Sequence, residues 1–168
     1  MIKKKICLIG AFAVGKTSLV RQYLHSIFSE KYHTTVGVKI DKKCITINDR
    51  SVDLIIWDLH GEDDFQSVRM SYLRGASGCL YVADGTRKAT LDVALNLQAR
   101  VQQAIGPVPS ILAINKCDLD AQWEIDDQTM ESLRHKAFHI ILTSAKTGHR
   151  VESAFYELAA RMLKEPLQ

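Results

Sequence analysis

Short apolar runs alternate with amphipathic stretches along the whole chain. That pattern belongs to an α/β domain in which strands and helices take turns. Ile6 to Ile9 reads as a short buried strand, and Lys16 to about His25 as the helix that follows it. Val36 to Ile47 and Val52 to Asp58 are rich in β-formers. Asn48-Asp49-Arg50-Ser51 separates them, a turn signal that predicts an antiparallel hairpin. Such a hairpin puts one antiparallel edge strand on an otherwise parallel sheet. Asp64 to Arg74 reads as a shorter helix, Gly78 to Ala83 as a strand, and Ala89 to Ile105 as a helix with Leu91, Leu95 and Val101 near helical spacing. Gly106-Pro107 stops that helix. Ser110 to Asn115, Asp127 to Lys136, His139 to Thr143 and Val151 to Leu163 follow as strand, helix, strand and helix. The count is six strands and five helices.

Length and composition narrow this further. With 168 residues the chain is expected to be one domain spanning 1–168. It is 46% hydrophobic and 24% charged, ordinary for a globular protein. A net charge of +3 is too small to argue for nucleic acid. Lys3-Lys4-Lys5 is read as a solvated strand start, with contact to acidic lipid as the alternative. No apolar stretch reaches the roughly 20 residues of a membrane span, and the N-terminus has no signal-peptide core. Cys7, Cys44, Cys79 and Cys117 have no metal-like spacing, so reduced thiols and a cytoplasmic location are expected. The sequence ends without a cysteine to prenylate, so no membrane association is expected from these residues, whether a tail is trimmed or prenylation is not used.

The candidate chemistry falls on the loops after strands, where ligands of open α/β sheets bind. Gly10-Ala11-Phe12-Ala13-Val14-Gly15-Lys16-Thr17 fits the phosphate-loop pattern. A glycine-rich turn lets successive backbone N–H groups face phosphates, and the helix after it adds its positive end. Lys16 then reaches the outer phosphates and the Thr17 hydroxyl ligates Mg²⁺. Asp58 ends a strand, in Asp58-Leu59-His60-Gly61, and suits Mg²⁺ held through water. Gly61 permits close approach to a terminal phosphate.

Two further motifs select the base. Guanine offers two adjacent donors, N1–H and the 2-amino group, and one carboxylate can accept both. Asp118 in Asn115-Lys116-Cys117-Asp118 is suited to that role. Adenine leaves such a carboxylate unmatched, and sites of this kind reject analogues strongly. Asn115 either binds the base or ties its loop to the phosphate loop. The Lys116 stem would cover the base face. Ala145 would offer its backbone N–H to the base carbonyl, with Ser144 and Lys146 fixing the loop.

With these residues in place the chain resembles a Ras-superfamily small GTPase over nearly its whole length, and its Rab-like branch in particular. Tyr32-His33-Thr34-Thr35-Val36-Gly37-Val38 resembles the first switch of that branch, and Trp57-Asp58 with Ser71-Tyr72-Leu73-Arg74-Gly75-Ala76 the second. The resemblance implies a P-loop NTPase fold of the Ras-like G-domain type, with six strands, mostly parallel, and five flanking helices. It implies GTP or GDP bound with Mg²⁺, and a molecular switch that hydrolyses GTP. Thr35 would join Thr17 and Asp58 at the metal, and Phe28 would pack against the guanine. Ala13, Val14 and Ser18 would join the nucleotide contacts. Lys16, Thr35, Gly61 and the residue after Gly61 would act in hydrolysis. Effectors, exchange factors and activating proteins would read segments at about 32–40 and 58–74.

The chain departs from that family at points that matter. The usual Gln after the second-switch glycine orients the attacking water. Here it is Glu62, followed by Asp63 and Asp64. Two unit charges ~5 Å apart at an effective ε of ~20 repel by about 3 kcal/mol. Only the part that differs between ground and transition state affects the rate. Slow hydrolysis is the expectation; the competing readings are a Glu62 general base and a surface Glu swung away from the site. Phe12 replaces a small residue and would crowd an entering arginine finger. His60 is either a pH-sensitive contact or an exposed side chain. Cys117 is either redox-active or a packed thiol. A persistently GTP-bound interaction module with negligible hydrolysis is the alternative to a cycling switch.

Overall fold

The computed structural model describes residues 1–30, 37–59, 70–136 and 138–164. Six strands form one sheet: β1 (Ile2–Gly10), β2 (Val38–Ile47), β3 (Arg50–Leu59), β4 (Gly78–Asp84), β5 (Ser110–Asn115) and β6 (Ile140–Leu142), in the order β2-β3-β1-β4-β5-β6. Only β2 and β3 pair antiparallel; every other neighbour is parallel. β1, β3 and β4 run longer than the apolar runs that signal them, β5 matches its run, and β6 is shorter than the expected His139 to Thr143. β1 begins at Ile2, because Lys3, Lys4 and Lys5 pair along β3 through Asp53, Leu54 and Ile55.

The lysine run is not wholly solvated. Lys5 Nζ donates to the carbonyls of Tyr72 at 2.6 Å and Arg74 at 2.9 Å. It also sits 3.5 Å above the Trp57 ring centroid. The hairpin turn is the pair Asn48-Asp49 alone, with Arg50 already opposite Ile47 in β3. Both turn residues have positive φ, 46° and 62°, which is why a tight two-residue loop needs Asn and Asp there.

Four α-helices lie among the described residues: α1 (Lys16–His25), α2 (Lys88–Ile105), α3 (Asp127–His135) and α4 (Val151–Leu163). The expected helix Asp64 to Arg74 falls largely outside the described residues, and its visible end is a 3-10 turn, Met70–Leu73. The helices cover both faces of the sheet. Leu19, Val20 and Tyr23 of α1 share one core with Ala154, Phe155 and Leu158 of α4. Leu91, Leu97 and Val101 of α2 share the other with Met130 and Leu133 of α3. The buried stripe of α2 runs through Leu91, Ala94, Leu97 and Val101, and Leu95 lies on its flank, only partly buried. β4 is buried at all seven positions, as a central strand covered on both sides must be. No described helix is long and apolar enough to cross a membrane.

The order of strands reverses around β1. β3 lies on one side of it and β4 on the other, which sets the ligand crevice at the carboxyl end of β1.

Candidate functional site

The loop from Gly10 to Lys16 leaves β1 and enters α1 with two residues in the left-handed region, Ala13 (φ 59°) and Gly15 (φ 103°). A Cβ on Gly15 would overlap the Asn115 side-chain amide, so the loop and the β5 loop approach as closely as they do only with glycine there. α1 starts without a side-chain cap or an acidic residue in its first turn. In α3, by contrast, the Asp126 carboxylate accepts from Thr129 N at 2.7 Å. The positive start of α1 is therefore left to the phosphate loop.

Lys16 is 6% exposed, and its ammonium donates to the carbonyls of Gly10 at 3.0 Å and Ala11 at 2.8 Å. A buried cation is thus held at the loop. Thr17 Oγ1 donates to Asp58 Oδ2 at 2.6 Å, with Asp58 1% exposed. β3 and α1 bring these two oxygens together across 41 positions of chain. Paired hard oxygen donors fit Mg²⁺, which takes few protein ligands. Ser18 lies one residue further along α1, half-buried.

The base-reading residues converge as well. Asn115 is 2% exposed and makes three links. Its Nδ2 donates to the Val14 carbonyl at 3.1 Å, while Oδ1 accepts from Thr143 Oγ1 at 3.1 Å and Ala145 N at 3.2 Å. Of its two possible roles the structure shows the tie between loops. The Ala145 N–H is directed at Asn115, a partner not foreseen for it. Ser144 Oγ donates to Asp118 Oδ1 at 2.7 Å and accepts from Thr147 N at 3.1 Å, which fixes the Asp118 carboxylate. Lys116 adopts a positive φ of 68°, and its ammonium reaches the Ala13 carbonyl at 3.2 Å. Lys146 pairs with Glu30 at 3.3 Å, and Phe28, between α1 and Glu30, is exposed. Thr35, His60, Gly61 and Glu62 lie outside the described residues, as do the partner-reading positions 32–36 and 60–69.

Two residues of the site escape the four motifs. Asp84 ends β4, 1% exposed. Its carboxylate accepts from Lys116 Nζ at 2.9 Å, Arg87 Nε at 3.0 Å, and the N–H and hydroxyl of Thr86 at 2.9 and 2.7 Å. Burial pushes its pKa up, but the hydrogen bonds from Lys116, Thr86 and Arg87 outweigh burial and hold it below the usual carboxylate value. Arg87 Nη2 also donates to the Phe12 carbonyl at 2.8 Å. The ends of β1, β4 and β5 are thus joined by one charged network. The available signal was a carboxylate at the carboxyl end of an apolar run, the same signal that marks Asp58. Cys117 is half-buried, and burial first, then the nearby Asp118, raises its thiol pKa, which favours the packed thiol over a reactive one.

A phosphate loop with a buried lysine, an oxygen pair for a divalent cation and a separate loop built on Asn115 and Asp118 define a P-loop nucleotide-binding domain. The family model for the Ras family matches residues 5–164. The human Ras-related protein Rab-7b is 34% identical over 163 residues, 95% of this chain and 82% of that protein. Its mouse counterpart is 32% identical over the same shares, and human Ras-related protein Rab-30 is 34% identical over 166 residues, 98% of this chain and 82% of that protein. The chain belongs to the Ras family, as a Rab-like small GTPase.

Proposed function

We propose that residues 1–168 form one guanine-nucleotide switch that cycles between GTP and GDP forms and hydrolyses GTP slowly. Its family consists of GTP-binding switch GTPases. The observation that carries the specificity is the position of Asp118. Ser144 orients its carboxylate, and Asn115 and Lys116 tie its loop to Val14 and Ala13 of the phosphate loop. Base selection and phosphate binding are thereby coupled at fixed separation. Thr17 and Asp58, with Thr35 added on the strength of the resemblance, would hold Mg²⁺, which supplies positive charge to the phosphates. Lys16 adds a second cation, and the backbone of Gly10 to Gly15 would orient the phosphate chain. Partners in this family are effectors, exchange factors and activating proteins, and we assign them the surface at about 32–40 and 58–74. The free thiols of Cys7, Cys44, Cys79 and Cys117 support a cytoplasmic location.

Slow hydrolysis rests on Glu62 in the sequence. A carboxylate cannot donate a hydrogen bond to the transferring phosphoryl group, and it repels the phosphate. Single-turnover hydrolysis of preloaded GTP across pH 6 to 8.5 tests this, wild type beside Glu62→Gln. We expect a slow wild type that Gln accelerates by about tenfold or more, roughly half of the repulsion estimated above. A fast wild type that Gln slows would assign Glu62 as the general base. An unchanged rate would remove Glu62 from the chemistry. Phe12, at the third loop position, and Glu62 together favour a second reading, a GTP-bound interaction module with negligible turnover. Wild type and Glu62→Gln that both stay GTP-loaded through the assay would support it.

A further inference from the structure

A cavity of about 150 Å³ lies between α2, the start of β5, the segment before β6 and the end of α4. Gln98, Ser110, Leu112, Phe138, His139 and Arg161 are on its walls. None of them belongs to the nucleotide residues, and Ser110 and Asn115 stand at opposite ends of β5. The volume far exceeds the ~10–15 Å³ that one water needs, so a polyatomic guest fits.

The hydrogen bonds set the charge of this cavity. Arg161 Nη2 lies 2.9 Å from His139 Nδ1. A guanidinium only donates, so Nδ1 is the acceptor and a neutral ring carries its proton on Nε2. Nε2 faces Glu157 Oε2 at 2.6 Å, and Glu157 Oε1 meets Arg150 Nη2 at 3.4 Å. Glu157 is therefore engaged by the imidazole and Arg150. Arg161 ends on a neutral acceptor, and among the described residues no carboxylate pairs with it. Its Nε is buried with no hydrogen-bond partner among the described residues. A buried donor on a cation is costly to leave unmatched. Among the described residues no acidic side chain lines the cavity, while Gln98 and Ser110 add neutral donors.

We propose that this cavity binds a small oxyanion free in solution, a single phosphate or carboxylate group, with Arg161 as its charged partner. The test is an amide chemical-shift titration of the protein as purified, with inorganic phosphate in one arm and formate in another. Sodium chloride at matched ionic strength is the control. The expected result is saturable shifts at Gln98, Ser110 and His139 with phosphate, formate or both, and none with chloride. A phosphate-only response assigns a tetrahedral guest, a formate-only response a planar one. Arg161→Gln weakens binding by about tenfold or more, and Gln98→Leu by about threefold. The amides of Ala11 to Thr17 report phosphate at the nucleotide site separately, so this proposal stands or falls apart from the switch. Shifts shared with chloride, shifts that do not saturate, or an Arg161→Gln protein with unchanged affinity would overturn it. Should Arg161→Gln fail to fold, an unchanged affinity in Gln98→Leu overturns it instead.

Discussion

Asp84 accepts four hydrogen bonds while almost fully buried, and two of its donors, Lys116 and Arg87, are cations that also hold the phosphate loop. Asp84→Asn keeps the shape and removes the charge. It should cost about 1.5–3 kcal/mol at neutral pH, the range for hydrogen bonds to charged groups, measured by urea unfolding. The sign with pH follows from the lowered pKa. A carboxylate whose folded pKa is depressed stabilises above its unfolded value, and that contribution is lost as pH falls through the folded value. The gap between wild type and Asp84→Asn should therefore hold steady from pH 7 to about 4 and shrink only below. A gap that closes already at pH 6 would mean the carboxylate is not held low. At this scale the sequence announced the candidate nucleotide residues, because those motifs are contiguous. It did not announce Asp84, whose cationic donors lie 3 and 32 positions away in the chain and meet it only in the fold.

The β2–β3 hairpin shows what element boundaries depend on. Asn48 and Asp49 both occupy the left-handed region, where L-residues are strained and Gly is not. Asp49→Gly should thus stabilise by about 0.5–1 kcal/mol despite its gain in unfolded-chain freedom, and thermal unfolding measures it. A loss of stability would show that the Asp49 side chain contributes more than the strain costs. Alternation of apolar runs made all six strands and their order of appearance legible. It left the starts of β1 and β3 short, since Lys3 to Lys5 and Arg50-Ser51 pair as strands only because a neighbour supplies the ladder. Of Leu91, Leu95 and Val101, only Leu95 falls outside the buried stripe of α2, for a similar reason. Leu95 and Leu97 are equally apolar, and only the sheet beneath decides which one is buried.

On the scale of the molecule, the candidate nucleotide residues stand at the ends of β1, β3, β5 and β6, four strands whose loops are joined through Asn115, Lys116, Ser144 and the Thr17–Asp58 pair. A ligand that contacts all four would brace the sheet from its carboxyl edge, and its binding energy would appear as folding stability. At 100 times its Kd, GDP with Mg²⁺ should add about 2.7 kcal/mol. For a chain of this size that is a rise in Tm of roughly 5–11 °C. ATP at the same concentration should give little of it, because adenine leaves the Asp118 carboxylate unmatched. Asp118→Ala should abolish the difference between the two nucleotides while leaving the unliganded Tm within a degree or two, roughly the cost of one half-exposed hydrogen bond. Adding a chelator to the GDP sample should remove part of the rise. The Thr17 hydroxyl still donates to Asp58 at 2.6 Å, but the phosphates lose a cation. A rise equal for GDP and ATP would place the binding energy in the phosphate loop alone and take base selection away from Asp118. A rise indifferent to the chelator would show that Lys16 and the backbone of Gly10 to Gly15 hold the phosphates without a metal.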